Sequence, residues 1–496
     1  MNTYVAVDLG SSGGAVWAGQ RSGDRLELEE TYRFHNRPVE RDGRHVWDID
    51  MIVDEIAEGL VATEEKYGDL TTLAVDTTAM DFTFFEDGER MRDPYFYRDP
   101  AVTSTLSDIL EQTGKREIFM ATGLNHWNIP NSLWQYHYQS RQDSEVVEAA
   151  DTFVMLPQIL TAEMGGSLNP DKSIASTTQM FDIRTESWAT ELLEKLDLGT
   201  DILPEIIDPG TVEGPIDPAF APELDSRPEL LKGATHDTAG VVASIPFQTA
   251  DRTFLATGSL FACGMELDEP RVNEAAFEAH GCNEYGVEGT TRFLKDVTGF
   301  NLLESARNTW ESDGKLAEYD AILSAMDETE PFGPLIDPDA RTFVAGTLEA
   351  DNMVAAIQDY CAETGQRVPE GIGEVTRCIL ESLAAKIGSV FDELQEAADI
   401  ESQQLHVVGG GARNEPFLQM VSGATNLPIV AGPVEAASIG NLLVQMNATD
   451  EIESVAVGRE LVRNTVPLDE YEPRNRDQWT EARNRVASMV SSDGFS

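Results

Sequence analysis

The densest set of reactive side chains in this 496-residue chain is Thr235-His236-Asp237-Thr238, set in an otherwise apolar and glycine-rich run from Gly233 to Gly240. An aspartate with hydrogen-bonding neighbours can accept a hydroxyl proton. That is one of the few covalent tasks a protein has in phosphoryl transfer, where positioning does most of the rest. Asp237 fits the acceptor, with His236 and Thr238 beside it. The same residues also suit a helix N-terminus capped by an aspartate. Asp8-Leu9-Gly10-Ser11-Ser12-Gly13-Gly14 ends an apolar run. Its glycines let backbone come close to a ligand, its hydroxyls can donate to phosphate oxygens, and Asp8 suits a hard cation such as Mg²⁺. Thr257-Gly258-Ser259 offers similar chemistry from the second half of the chain. Two such turns facing each other would clamp a triphosphate. Gly409-Gly410-Gly411, followed by Ala412-Arg413-Asn414, leaves a flat surface on which a nucleoside base could lie. Asp76-Thr77-Thr78-Ala79-Met80-Asp81 leaves the end of a strand, where polar groups line the clefts of α/β domains. Each of these segments, taken singly, also reads as an ordinary turn.

The elements that must position these groups are legible in the hydrophobic pattern. Thr3–Leu9 predicts a buried strand, Ala15–Ala18 a second and Leu26–Phe34 a third. This is strand–turn–strand, unlike the strand–turn–helix of a Rossmann or P-loop, which hands phosphate to a helix N-terminus. Met51, Ile52, Ile56, Leu60 and Val61 place a helix over Asp50–Lys66. Leu73–Asp76 predicts a strand, and Phe82–Phe85 followed by Asp87-Gly88 a hairpin. The stretch 202–228, with six prolines, reads as a surface excursion. Thr253–Gly264 repeats the opening logic, so a second domain begins near residue 245, dividing the chain into 1–244 and 245–496. Glu374–Ala397 predicts a long amphipathic helix, Gln404–Val408 a strand, and a further helix begins near Asn414. The polar stretch from Asp469 reads as peripheral. The alternation of strands and helices gives an α/β layered class.

Composition narrows the partners. Acidic residues number 88 against 35 basic, for a net charge of −53. Binding to nucleic acid rests on Lys and Arg neutralising phosphates, so that class is excluded, as is docking on an anionic membrane. Of the basic residues only 8 are Lys, and the acids are spread along the whole chain. At about 1 M salt the Debye length is roughly 3 Å and their repulsion is largely screened. The composition is therefore that of a protein from a salt-accumulating cell. Cys263, Cys282, Cys361 and Cys378 form no CxxC pair, which speaks against a zinc site or a disulfide framework. Met1–Gln20 has no leader pattern and no apolar run reaches the length of a membrane span. The expected location is the cytoplasm.

Taken in order, VAVDLGSSGG at 5–14, RFHNRPVERDGRHVWDID at 33–50, YRDP at 97–100, THDTAG at 235–240, LHVVGGGARN at 405–414 and GPVEAASIGN at 432–441 resemble the FGGY carbohydrate kinases from roughly Tyr4 to Asn441. The nearest branch phosphorylates the C1 hydroxyl of L-rhamnulose. The resemblance implies two ribonuclease-H-like domains of the actin/hexokinase type around a cleft, and transfer of the γ-phosphoryl group of ATP, with Mg²⁺, to a sugar hydroxyl. It implies Asp237 as proton acceptor, with His236, Thr238, Ala79, Asp81 and Asp296 at the sugar. It implies Gly10, Ser11, Ser12, Gly13, Gly14, Thr257, Gly258, Ser259, Glu304, Gly409, Gly410, Gly411 and Asn414 at the nucleotide, and Asp8 at the metal. This chain carries Thr78-Ala79 where the branch has Trp-Gly, Asp296 for an asparagine, Glu304 for a glutamine, Tyr285 for a glycine and Ala15 for a basic residue. Other readings are the same chemistry on fuculose, xylulose, ribulose or an aldohexose, a non-catalytic sugar and nucleotide sensor, and a motion-driving ATPase. A homodimer is left open.

Overall fold

The computed structural model describes residues 1–11, 13–99, 101, 106–127, 130–315, 318–344 and 352–489. Ser12 of the first loop therefore lies outside the described residues.

The opening strand β1 (Tyr4–Leu9) is apolar on both sides, as a central strand must be. It pairs antiparallel with β2 (Gly13–Ser22), which pairs antiparallel with β3 (Arg25–His35). On its other side β1 pairs parallel with β4 (Thr72–Thr77). Beyond that lie β5 (Thr211–Pro215) and β6 (Glu229–Lys232), giving the order β5-β6-β4-β1-β2-β3. The second sheet is built alike. An antiparallel run joins β7 (Thr253–Thr257), β8 (Leu260–Leu267) and, after β9 (Cys282–Tyr285), β10 (Thr291–Thr298). Parallel strands β11 (Leu405–Gly409) and β12 (Ile429–Ala431) extend β7 on the other side, with β13 (Asp469–Tyr471) at the edge. The two sheets thus share a five-strand core, an antiparallel run on one side of the first strand and parallel strands on the other: β3-β2-β1-β4-β6 in the first and β10-β8-β7-β11-β12 in the second. This is the duplicated ribonuclease-H-like arrangement of actin/hexokinase-type folds.

Five helices cover the faces that matter here: α1 (Ile49–Tyr67), α2 (Asp237–Ser244), α3 (Gly371–Ala398), α4 (Glu415–Thr425) and α5 (Ala436–Ala448). Side chains alternate along a strand. Val5, Val7 and Leu9 of β1 pack on Ile52, Ile56 and Leu60 of α1. Tyr4 and Ala6, on the other face, pack on Ile439, Leu442 and Met446 of α5, which comes from the far end of the chain. The exchange is reciprocal. Val242 of α2 packs with Phe254, Leu294 and Val408 of the second sheet, whose opposite face is closed by Leu383, Ile387 and Val390 of α3. α2 and α5 cross at Gly240 and Gly440. A Cβ on Gly440 would lie 1.7 Å from the Gly240 carbonyl oxygen, so the two backbones touch.

Two sequence expectations need correction. The stretch 202–228 is not wholly an excursion, because it contributes the edge strand β5, with a register shift between Val212 and Gly214. The C-terminal stretch is not peripheral either. It supplies β13 and a helix, Arg476–Met489, whose Trp479, Ala482 and Val486 are buried in the core of the second half.

Candidate active site

Both sheets open onto one cavity of about 350 Å³. From the first come Asp8, Ser11, Thr78 and Ala79. From the second come Gly258, Ser259 and Asp296, and from the start of α2 come His236, Asp237 and Thr238. The two serine-bearing turns thus face the same space. The first turn is closed by Gly10 N–H donating to the Gly13 carbonyl at 2.9 Å. Gly13 and Gly14 do not line the cavity. A Cβ on Gly14 would lie 2.1 Å from the Phe34 ring, so this glycine lets β3 pack against β2. Thr257 ties the second turn to the triple glycine. Its hydroxyl donates to the Val408 carbonyl at 2.5 Å and accepts from Gly411 N–H at 2.9 Å. Gly409 has φ +83°, and a Cβ there would strike the Thr257 carbonyl at 2.3 Å.

Asp237 begins α2, and its two carboxylate oxygens differ. Oδ1 accepts from Thr238 N–H, and from the Thr238 hydroxyl at 2.9 Å. His236 Nε2 lies 3.4 Å from the same oxygen. Among the described residues Oδ2 has no protein hydrogen bond, which leaves it to the cavity. Burial pushes the Asp237 carboxyl above the usual aspartate range, while the two Thr238 bonds and Arg292 oppose the rise. Asp8 is pushed up to about 7, first by burial and then by the charge of Asp237. Asp76, its register partner across β1 and β4, is also raised by burial. Its Oδ2 accepts from Asn441 of α5 at 2.5 Å, and its buried Oδ1 has no hydrogen-bond partner among the described residues. Oxygen donors crowded this way, each costly to ionise beside the others, are what a divalent cation relieves. Asp8 therefore fits a metal, although no group of three or more ligating side chains is found among the described residues.

Asp296 also lines the cavity, and burial raises it to about 6. Its Oδ2 lies 3.7 Å from Nε2 of the buried His126. Behind the wall, the fully buried Arg292 lies 3.1 Å from Glu284 and 3.0 Å from His236 Nδ1. Arg292, Glu284 and His126 were not singled out for this chemistry in the sequence. The signal was there for Arg292, since it stands four residues before Asp296 on one strand and so shares its face.

Three expected ligand residues sit elsewhere. Asp81 is fully buried behind the wall. It accepts from the Trp47 indole at 2.5 Å, Gln135 at 3.0 Å and Tyr97 N–H at 3.3 Å. It holds the floor of the first half together, away from the cavity wall. Glu304 lies on the helix Asn301–Ser312, accepting from Arg307 at 3.0 Å and from the Tyr319 hydroxyl. The side chain of Asn414 caps α4 by accepting from Phe417 N–H at 3.2 Å. The other expected residues that the structure describes line the cavity or lie in the glycine turns beside Ser11 and Thr257.

Burial raises Asp81 to about 7 from an ordinary 3.8. Between those values the folded carboxyl keeps a proton that the unfolded one has lost, so its contribution to stability falls as pH rises through that window. Asp81→Asn removes this titration. Its amide can also pair with the buried, unpartnered Oε1 of a flipped Gln135. Denaturant unfolding at pH 4 and pH 8 is expected to show the variant gaining on the order of 3 kcal/mol relative to wild type across that interval, with the sugar KM unchanged. A raised KM instead would put Asp81 at the sugar.

Two family models match the chain. One, the FGGY family of carbohydrate kinases, N-terminal domain, covers residues 3–239. The other, the C-terminal domain of the same family, covers 255–449. A rhamnulokinase of Bacteroides thetaiotaomicron is 33% identical over 482 residues, 97% of each chain. One of Ligilactobacillus salivarius is 31% identical over 95% of this chain and 96% of its own. Among solved structures, a ligand-bound xylulose kinase from Lactobacillus acidophilus superposes with a TM-score of 0.78 at 14% identity, over 99% of this chain and 97% of that one. A glycerol kinase of Plasmodium falciparum with ADP superposes equally well over 99% of both chains.

Proposed function

The chain belongs to the FGGY family of carbohydrate kinases, and on that premise we propose that it is an ATP-dependent sugar kinase whose acceptor is L-rhamnulose, giving L-rhamnulose 1-phosphate. The observation that carries the reading is Asp237, which lines a cavity walled by both serine-bearing turns and whose Oδ2 has no hydrogen bond among the described residues. Rhamnulokinases of several bacteria, similar along nearly their whole length, supply the choice of sugar.

In this reading Asp237 Oδ2 accepts the proton of the attacking hydroxyl as the new O–P bond forms. Thr238 and His236 hold the other oxygen so that the carboxylate does not rotate. Ser11, Gly258 and Ser259 border the phosphates, with Gly10, Gly13 and Gly14 shaping the first turn. Gly409, Gly410 and Gly411 bear the nucleoside, with Glu304 and Asn414 at its margin through the elements they hold. Ala79 and Asp296 face the sugar. A Mg²⁺ ion would be held at Asp8, where it would neutralise phosphate charge. We divide the chain into 1–244 on the sugar side and 245–496 on the nucleotide side. No helix among the described residues is long and apolar enough to cross a membrane. We place the protein in the cytoplasm of a salt-accumulating cell.

The test is ADP release in about 2 M KCl, where the charge is screened, across a panel of ketoses and aldoses. L-Rhamnulose is expected to exceed L-fuculose, D-xylulose and D-ribulose in kcat/KM by on the order of 10²-fold or more, as a site built for one hydroxyl pattern does. Preference for another sugar would retain the kinase and replace the acceptor. It would also make Thr78, Ala79 and Asp296 the first residues to exchange.

A further inference from the structure

We propose that Arg292, which does not line the cavity, is a positioning residue: it holds His236 in the tautomer protonated on Nε2, so that this imidazole donates at the reacting end and does not accept there. Arg292 lies within β10, directly opposite Glu284 in the register with β9. Its side chain is fully buried. A guanidinium has only donors and keeps its charge in proteins. Its Nη2 carries two protons and hydrogen-bonds the Tyr285 carbonyl at 3.2 Å and His236 Nδ1 at 3.0 Å, while Glu284 Oε2, 3.1 Å from the same nitrogen, is a charge partner outside hydrogen-bond geometry. Nδ1 must therefore present a lone pair. A neutral imidazole has one N–H, so that proton stands on Nε2, 3.4 Å from Asp237 Oδ1.

The neighbourhood makes this choice depend on Arg292. The carboxylate oxygen Oε2 of Glu284 lies 3.6 Å from His236 Nδ1, with the guanidinium 3.1 Å from the same oxygen. Without the guanidinium, Glu284 is the nearest partner for Nδ1. Burial raises the Glu284 carboxyl to about 7 and Arg292 opposes that rise, so well above that range an anion there would draw the proton onto Nδ1 and leave a lone pair on Nε2 facing the Asp237 carboxylate. Two acceptors would then oppose each other, and the imidazole would turn away. With the guanidinium in place, the proton on Nε2 faces Oδ1 at 3.4 Å, where Thr238 already donates twice, and Oδ2 is left as the base. Burial and the Arg292 charge also hold His236 well below its ordinary pKa, which keeps the ring neutral.

The kinetic part rests on Asp237 as the proton acceptor; the tautomer does not. The experiment is therefore read in two ways. With ¹⁵N-labelled histidine, the ring nitrogens of the seven histidines are followed by long-range ¹H–¹⁵N spectra of the full chain, His236 being assigned from His236→Gln. Wild type and Glu284→Gln are expected to show protonated Nε2 and unprotonated Nδ1. Folded Arg292→Met, measured at a pH well above the raised Glu284 range, is expected to show the reverse, with kcat lowered roughly 10- to 100-fold, the worth of one charge-assisted hydrogen bond, and the KM for ATP unchanged. Wild-type His236 protonated on Nδ1, or on both nitrogens, overturns the proposal whether or not the arginine variant folds. So does an Arg292→Met protein that keeps Nε2–H. A tautomer reversed as expected with kcat unchanged would overturn the kinetic part, since the tautomer would then have no bearing on turnover.

Discussion

Asp237→Asn is expected to lower kcat by about 10³- to 10⁴-fold, the upper range for losing a general base, while sugar and ATP still bind. The geometry dictates which way the new amide turns. Thr238 offers Oδ1 two donors and His236 stands beside the same oxygen, so the asparagine carbonyl must take that place. Its NH₂ group then replaces Oδ2 at the cavity. A donor stands where the acceptor stood, so the hydroxyl proton has nowhere to go. The hydroxyl oxygen can still receive a hydrogen bond, which is why affinity survives. Calorimetric titration of sugar and of MgATP, beside ADP release, checks both halves. Turnover within tenfold of wild type would exclude Asp237 as the acceptor.

The second large effect is expected far from any ligand. In an exposed helix, glycine to alanine stabilises by roughly 1 kcal/mol. At Gly440 the sign reverses. The new methyl would lie 1.7 Å from the Gly240 carbonyl oxygen and 2.4 Å from its carbon. These are backbone atoms of another helix and cannot rotate away. Only separating α2 from α5 makes room, and each helix is sealed against a different sheet. Gly440→Ala is therefore expected to cost about 3 kcal/mol or more and to lower the melting temperature by several degrees. Turnover should fall with it, because α2 carries Asp237. Gly240→Ala is the control. Its nearest contact is the Ala437 carbonyl at 3.0 Å, and a markedly smaller loss is expected. Thermal unfolding of the two variants decides the matter, and a Gly440→Ala protein as stable as wild type would mean the helices do not meet as described.

The parts of the fold that repeat a simple period could be read before the structure. β1, β2 and β3 follow from an apolar run, a glycine turn and alternation. α1 and α3 follow from the 3.6-residue period. Thr211–Pro215 was hidden because two prolines and two glycines surround it, yet an edge strand tolerates such residues on its open side. Trp479, Ala482 and Val486 were hidden because five apolar side chains in a fourteen-residue helix that is otherwise polar look like a surface. They are enough to bury one narrow stripe. The reacting residues were legible as motifs, since their local glycines and hydroxyls mark them. Arg292 was not. A lone arginine is a surface residue in most chains, and only the pairing of β9 with β10 brings Glu284 to it.

The exchange of α2 and α5 between the sheets also bears on how the polypeptide is made. Domains are usually completed in order as they leave the ribosome. Here the face of the first sheet carrying Tyr4, Ala6 and Trp17 waits for Leu442 and Met446. Those residues are translated only after nearly all of the second sheet. Throughout synthesis the early half therefore holds a greasy, unfinished surface. Its closure is a contact of very long sequence separation, the slowest kind to form. A nascent chain of this design needs shelter from chaperones or a slow, reversible collapse. A fragment ending at residue 244 would keep that surface permanently, so the two halves of this kinase are units of sequence and of chemistry but not of folding.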